Sequence, residues 1–170
     1  MRHTGENLTK SDVEKIRSEI EERKLVKRPQ LIAEVQEARA QGDLSENFEY
    51  YAAKKAKNEN ESRIGYLERM LKNANIVDDS SAEDEVGMNN YVEVEFLDDE
   101  SVERYKIVTS IRGNSLKGLI SIESPMGKAL LGHRVGDVCR VQVKGDDGYD
   151  VKIVSIDKTG DDSEDVIKAF

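Results

Sequence analysis

The sequence predicts an α+β protein, a long antiparallel helical hairpin followed by a small β-rich domain, and three observations lead there. Apolar residues recur at helical spacing on both sides of a polar segment at residues 42–47. An acidic stretch at residues 78–90, poor in apolar side chains, then reads as a linker. Beyond it the period changes to two, with Val92, Val94 and Phe96 alternating with Glu93 and Glu95.

The first arm opens at Ser11-Asp12-Val13-Glu14, which has the form of a capping box: the cap hydroxyl and the third-position carboxylate satisfy free N–H groups reciprocally. Val13, Ile16, Ile20 and Leu25 continue the apolar stripe. Pro29 lacks an N–H, which predicts a kink or short break near Lys27 and Arg28. Helical spacing resumes at Ile32, Val35 and Ala38, and Gly42 suits a C-terminal cap. The second arm runs from near Glu46 to about Asn75, with its clearest stripe at Ile64, Leu67, Leu71 and Ala74. Helices joined by so few residues pack antiparallel. A turn centred near Leu44 and Ser45 sets Leu25 opposite Ile64 and Val35 opposite Lys54. At the usual helical rise each arm is roughly 45 Å long. Residues 57–63 hold no apolar side chain, so the middle of the second arm is expected to pack poorly.

In the second half, strands are expected at residues 91–96, 102–108, 119–122, 138–143 and 149–156. Ser124-Pro125 opens one short helix, with Ser at the cap and Pro in the first turn, that ends at Gly132. The expected organisation is a hairpin at 1–77, a linker at 78–90, a β domain at 91–157 and an acidic tail at 158–170. The tail's composition predicts disorder, although Val166, Ile167 and Phe170 offer docking side chains.

The net charge of −9 is uneven. Residues 10–75 hold fourteen Lys and Arg against thirteen Asp and Glu, whereas residues 76–170 hold eleven against twenty-one. Only the first part can lie against nucleic acid without strong repulsion, and a solvated helix with paired charges accounts for it equally well. A single cysteine, Cys139, excludes an intramolecular disulfide and fits a reducing compartment. No Trp and only three Phe argue against a deep aromatic pocket. With no apolar run near the N-terminus and none long enough to span a bilayer, a soluble cytoplasmic protein is expected. His133 and Cys139 lack neighbours in sequence that would make them ligand or nucleophile.

The residues with the clearest chemistry are Asp43 and Glu46, in Gly42-Asp43-Leu44-Ser45-Glu46-Asn47. Two carboxylates three residues apart at a helix mouth can converge on one divalent ion that keeps most of its water, as Mg²⁺ does, but cannot complete its shell. The same spacing is also a capping box with Asp43 as cap and Glu46 at the third position, and Ser45 is a further candidate cap.

The run Gly42-Asp43-Leu44-Ser45-Glu46-Asn47-Phe48-Glu49-Tyr50-Tyr51-Ala52-Ala53-Lys54 resembles the signature of the GreA/GreB family of bacterial transcript cleavage factors. Ser124-Pro125-Met126-Gly127-Lys128-Ala129-Leu130-Leu131-Gly132, followed by Val135-Gly136-Asp137-Val138, resembles that family's C-terminal signature. Arg28-Pro29 and Glu37-Ala38-Arg39 fall where the family has them, and the resemblance spans about residues 8–156.

The resemblance implies an N-terminal antiparallel coiled coil and an FKBP-like C-terminal domain with one short helix. It implies an accessory factor, not an enzyme in itself, whose partner is bacterial RNA polymerase. The hairpin would enter the secondary channel, where Asp43 and Glu46 help hold a Mg²⁺ shared with the polymerase while the 3′ end of backtracked RNA is hydrolysed. Ser45 and Asn47 would support the tip, through the phosphate, the water or the loop itself. Arg39, Lys54, Lys55 and Lys57 would guide the RNA, and Pro125, Met126, Leu130 and Leu131 would hold the polymerase. The factor is expected to act as a monomer, with no cofactor of its own. Three positions depart from the family pattern. Phe48 replaces a small residue, Glu59-Asn60 replaces residues that are often apolar, and the acidic tail runs past the usual end. Three other readings remain: a secondary-channel regulator that does not stimulate cleavage, a peptidyl-prolyl isomerase, and a nucleic-acid-binding coiled coil that works without polymerase.

Overall fold

The computed structural model describes residues 5–42, 47–145 and 147–169. In chain order the elements are β1 (Asn7–Leu8), α1 (Lys10–Glu22), a π-helical segment (Arg23–Lys27), α2 (Arg28–Ala40), α3 (Phe48–Asn73), β2 (Asn75–Ile76), β3 (Tyr91–Phe96), β4 (Val102–Val108), β5 (Leu119–Ser121), α4 (Pro125–Leu130), β6 (Val138–Val141) and β7 (Tyr149–Asp157). Two short 3₁₀ turns, Ser110–Arg112 and Ser115–Lys117, lie between β4 and β5. The chain divides into two compact units, one of residues 10–75 and one of residues 6–9 with 76 onward. Residues 6–9, expected in the hairpin, belong with the second unit because Leu8 is buried and its carbonyl accepts the Val77 N–H at 2.9 Å. Among the described residues no helix is long and apolar enough to cross a membrane.

In the first unit, α1 begins at Lys10, ahead of the expected Ser11 cap, so Ser11 and Asp12 lie inside its first turn. The irregularity expected at Pro29 is a π-helical segment. Proline can neither donate to the carbonyl four residues back nor pass it without a clash, and the Arg28 N–H reaches back five residues to the Arg23 carbonyl instead. The extra residue shifts the helical phase. Leu25 therefore turns to solvent, 67% exposed, instead of facing Ile64, and Arg23 and Arg28 point across to α3. The apolar seam is formed by Ile16, Ile64, Leu67 and Met70, while Leu71 is only half-buried and Ala74 caps the end of α3.

The middle of the hairpin, where poor packing was expected, is filled by a polar network. Asn60 is only 4% exposed. It accepts from Arg23 Nη1 at 3.0 Å and donates to the Arg23 carbonyl at 3.3 Å. Glu19 accepts from Arg23 Nε at 2.8 Å and from Arg63 Nε at 2.8 Å. Arg28 reaches Glu61 at 2.9 Å. Burial pushes the Glu19 carboxyl up, but the hydrogen bonds and charges of Arg63 and Arg23 outweigh it and hold the group below its ordinary value.

In the second unit the sheet runs β5-β4-β3-β7-β6, with β4 and β5 parallel and the other pairs antiparallel. Val92 lies opposite Tyr105 and Ile156, and Val94 opposite Glu103 and Ile153. The alternation read from the sequence places Val92, Val94, Cys139, Val141, Val151 and Ile153 on one buried face. Helix α4 covers it with Met126 and Leu130. Ser124 caps α4 by accepting the Gly127 N–H at 3.0 Å. A Cβ at Gly127 would lie 2.0 Å from the Ser121 carbonyl oxygen, so only glycine lets α4 approach β5 this closely.

Two segments differ from expectation. The stretch at 78–90 is not a free linker. Val86 joins the core, its N–H donates to the His133 carbonyl at 2.8 Å, and its carbonyl accepts the Gly132 N–H at 2.9 Å. The acidic tail is folded onto the second unit, not disordered. Asp165 lies 3.1 Å from Lys106 Nζ and 2.7 Å from Arg112 Nη1, Ile167 is buried, and the Lys168 N–H donates to the Ile111 carbonyl at 2.8 Å. The reason is electrostatic: Lys106 and Arg112 are buried, and buried cations require an anion.

Candidate functional site

Asp43, Ser45 and Glu46, with Leu44 between them, lie outside the described residues. The residues on either side define how the hairpin closes. Gln41 caps α2, and Gly42 follows at φ +122°. The N-cap of α3, which the sequence divides between Asp43 and Ser45, is Asn47. Its Oδ1 accepts the Tyr50 N–H at 3.0 Å and its Nδ2 donates to the Ala38 carbonyl at 2.6 Å. A single amide thus satisfies a free donor at the start of one arm and a free acceptor at the end of the other. Of the roles open to Asn47, the one the geometry displays is fixing the loop ends.

Next to this closure the two arms bring cations around Tyr50, which is buried. Arg39 Nη2 donates to the Tyr50 hydroxyl at 3.4 Å, and the guanidinium lies 5.6 Å from the ring centroid. That hydrogen bond, helped by the charges of Lys54, Arg39 and Lys57, pulls the phenol below its ordinary value against the opposing effect of burial. Tyr50, Lys54 and Lys57 share one face because they are four and three residues apart. Lys55 faces elsewhere and lies 4.0 Å from Glu59. Three of the four basic residues singled out in the sequence therefore converge, and Tyr50, not singled out, organises them. The signal was present in the Tyr50–Lys54–Lys57 spacing.

On the outer side, Phe48 stands at the start of α3, 85% exposed, and Tyr51 is half-exposed. Tyr51 packs edge-to-face on Tyr50 with ring centroids 5.5 Å apart.

In the second unit, the four residues expected to hold a partner separate. Met126 and Leu130 turn into the core and are not available at the surface, because they stand four residues apart on the face of α4 that covers the sheet. Pro125 and Leu131 are exposed. Cys139 is buried, and burial pushes its thiol up, away from the reactive thiolate. His133 has Asp137 as a neighbour at 3.4 Å, which the sequence did not suggest. Among the described residues no group of three or more His, Cys, Asp or Glu is placed to hold a metal ion.

Comparisons with known proteins agree along most of the chain. Residues 6–76 match the family model described as "Transcription elongation factor, N-terminal", and residues 81–158 match "Transcription elongation factor, GreA/GreB, C-term". The protein of Streptococcus gordonii named "Transcription elongation factor GreA" is 41% identical over 153 residues, which cover 89% of this chain and 95% of that protein. The protein of the same name from Staphylococcus saprophyticus is 42% identical over 149 residues, covering 88% and 94%. Among solved structures, the GreA factor homolog 1 of Thermus thermophilus is 31% identical with a TM-score of 0.42, covering 89% of this chain and 98% of that one.

Proposed function

The chain belongs to the GreA/GreB family of transcription elongation factors, and on that premise we propose that it enters the secondary channel of bacterial RNA polymerase and stimulates the polymerase's own cleavage of backtracked RNA at its 3′ end. The observation that carries this reading is the closure at Asn47. The amide ties the arms together where the segment joining Gly42 to Asn47 carries Asp43 and Glu46. From Lys10 to Ala40 the first arm is continuously helical, which at the usual rise gives about 45 Å of reach.

Asp43 and Glu46 are hard oxygen donors, suited to Mg²⁺ but too few to complete its shell, so the remaining ligands fall to the polymerase and the RNA. When bound there, the ion supplies Lewis acidity to phosphodiester hydrolysis. This chain's part is to place two carboxylates at the end of a stiff hairpin. The cations Arg39, Lys54 and Lys57, gathered around Tyr50, attract the phosphates of the extruded strand. Pro125 and Leu131 supply the exposed part of the polymerase contact near α4.

The test is an RNA cleavage assay on stalled, backtracked elongation complexes with and without the protein. Shortening of the 3′ end that depends on the protein supports the reading, and loss of that effect in Asp43→Asn assigns it to the tip. Binding without any cleavage would favour the second reading, a channel regulator. Absence of binding would overturn both.

A further inference from the structure

We propose that Phe48 and Tyr51 form a stacking platform for a nucleobase of single-stranded RNA beside the hairpin closure. The proposal deepens the transcript-cleavage reading and rests on it for the identity of the strand.

Phe48 and Tyr51 are three residues apart at the start of α3, so they share one face of the helix, and Lys55 lies one turn further along the same face. Phe48 is 85% exposed and Tyr51 50% exposed. A ring this exposed buries little area within the fold and leaves most of its surface open to a partner. Tyr51 is held in place from behind. Its ring packs edge-to-face on Tyr50, which is buried and receives a hydrogen bond from Arg39. The Tyr51 half of the platform is therefore held before any ligand arrives, which removes part of the entropy loss on binding.

The chemistry of the face selects the partner. Aromatic rings interleaved with a cation are what single-stranded nucleic acid uses, bases stacking on the rings while phosphates meet the ammonium. Lys55 is mostly exposed and lies 4.0 Å from Glu59, a solvent-screened pair worth little and readily exchanged for a phosphate. A purely apolar partner would leave Lys55 and Glu59 facing it without compensation. Phe48 stands two residues past Glu46 in the sequence, and on the transcript-cleavage reading the strand beside it is the backtracked RNA.

The test uses the full chain and a 2-aminopurine probe, whose fluorescence is quenched by stacking on an aromatic ring. One arm places the probe in a free single-stranded RNA oligonucleotide. The other places it at the 3′-terminal nucleotide of a backtracked elongation complex, with polymerase binding followed separately by a label on the protein. Quenching is expected with the natural chain and with Phe48→Trp. Phe48→Ala should weaken RNA binding by roughly ten-fold or more, with an unchanged circular dichroism spectrum. If the natural chain and Phe48→Ala quench equally, or not at all, in both arms, the platform does not exist. If Phe48→Ala instead weakens polymerase binding with no change in the probe, the face contacts polymerase and the proposal is overturned. Quenching in free RNA without polymerase binding would uphold the platform and sink the transcript-cleavage reading.

Discussion

Asn47 and Ala38 are joined across the hairpin by a 2.6 Å hydrogen bond, from the Asn47 side-chain amide to the Ala38 carbonyl, while the same side chain caps α3. Among the good capping residues, asparagine carries its acceptor and its donors on separate atoms of one planar amide. Asn47→Asp keeps the acceptor for Tyr50 and loses the donor to Ala38; Asn47→Ala loses both. Thermal melts should rank natural chain, then Asp, then Ala, with the alanine variant down by about 1–2 kcal/mol. Equal stability of the natural chain and Asn47→Asp would show that the cross-arm bond contributes nothing, and equal stability of the two variants would show the same of the cap.

Asn47 fills the N-cap position of α3, so the transcript-cleavage reading assigns Asp43 and Glu46 to chemistry and not to capping that helix. Asp43→Ala and Glu46→Ala should each abolish most of the stimulated cleavage while polymerase binding and thermal stability stay close to the natural chain. A drop in melting temperature as large as that of Asn47→Ala would return Asp43 to the role of a cap.

The Glu19 network makes a prediction about pH. The Glu19 carboxyl is held below its ordinary value of 4.5, so its contribution to stability is present above that value and is lost as pH falls through the lower, folded one. Glu19→Gln should therefore destabilise the hairpin at pH 7, and the gap between variant and natural chain should close below about pH 4.5. Melts between pH 7 and pH 3 measure it. A gap that stays constant would mean that the charge on Glu19 is not what holds Arg23 and Arg63.

Asn60 tests the same network from its other end. The family pattern and the lack of apolar residues at 57–63 both suggest that leucine would improve the seam there. The geometry says the reverse, because Asn60 is buried and exchanges two hydrogen bonds with Arg23. Asn60→Leu should lower stability by about 1–3 kcal/mol by leaving the Arg23 groups unsatisfied. A stabilised variant would show that packing, not the polar network, governs the middle of the hairpin.

What was legible in the sequence followed local rules. The Val92-Val94 alternation, the Ser124-Pro125 helix start and the irregularity before Pro29 all depend on nearest neighbours, and each is present. What was missed depends on residues far apart in the chain. Leu25 fits the helical stripe until a π-helical turn shifts the phase, and nothing in a spacing count announces that shift. Asn60 and Arg63 fall in the stretch expected to pack poorly because the partners that allow their burial, Arg23 and Glu19, lie on the other arm. Met126 and Leu130 belong to a recognisable motif, but which face of so short a helix looks inward is decided by the sheet beneath it. At the tip, two carboxylates at this spacing suit both a cap and an ion, and spacing alone does not reveal that Asn47 takes the N-cap of α3.

The tail shows the same limit most sharply, and it yields the last prediction. Residues 158–170 have the composition of a disordered segment, yet Asp165 lies between the side chains of Lys106 and Arg112, and all three are almost completely buried. Taking two cations out of water is expensive unless an anion meets them with good geometry, and Asp165 meets both within 3.1 Å. Removing one partner of such a group leaves charge buried without compensation, which costs about 3–5 kcal/mol. Asp165→Asn keeps the size and some hydrogen bonding but deletes the charge, so it should destabilise the second unit by roughly that amount or somewhat less. The first unit has its own core around Ile16, Ile64 and Leu67, so the hairpin should melt as before. Denaturant unfolding with one probe in each unit separates the two effects. Truncation before Asp161 should match or exceed the loss in Asp165→Asn, since it also removes Ile167 from its buried site. If Asp165→Asn and the truncated chain both unfold at the same denaturant concentration as the natural chain, the tail contributes nothing and Lys106 and Arg112 are stabilised by other means.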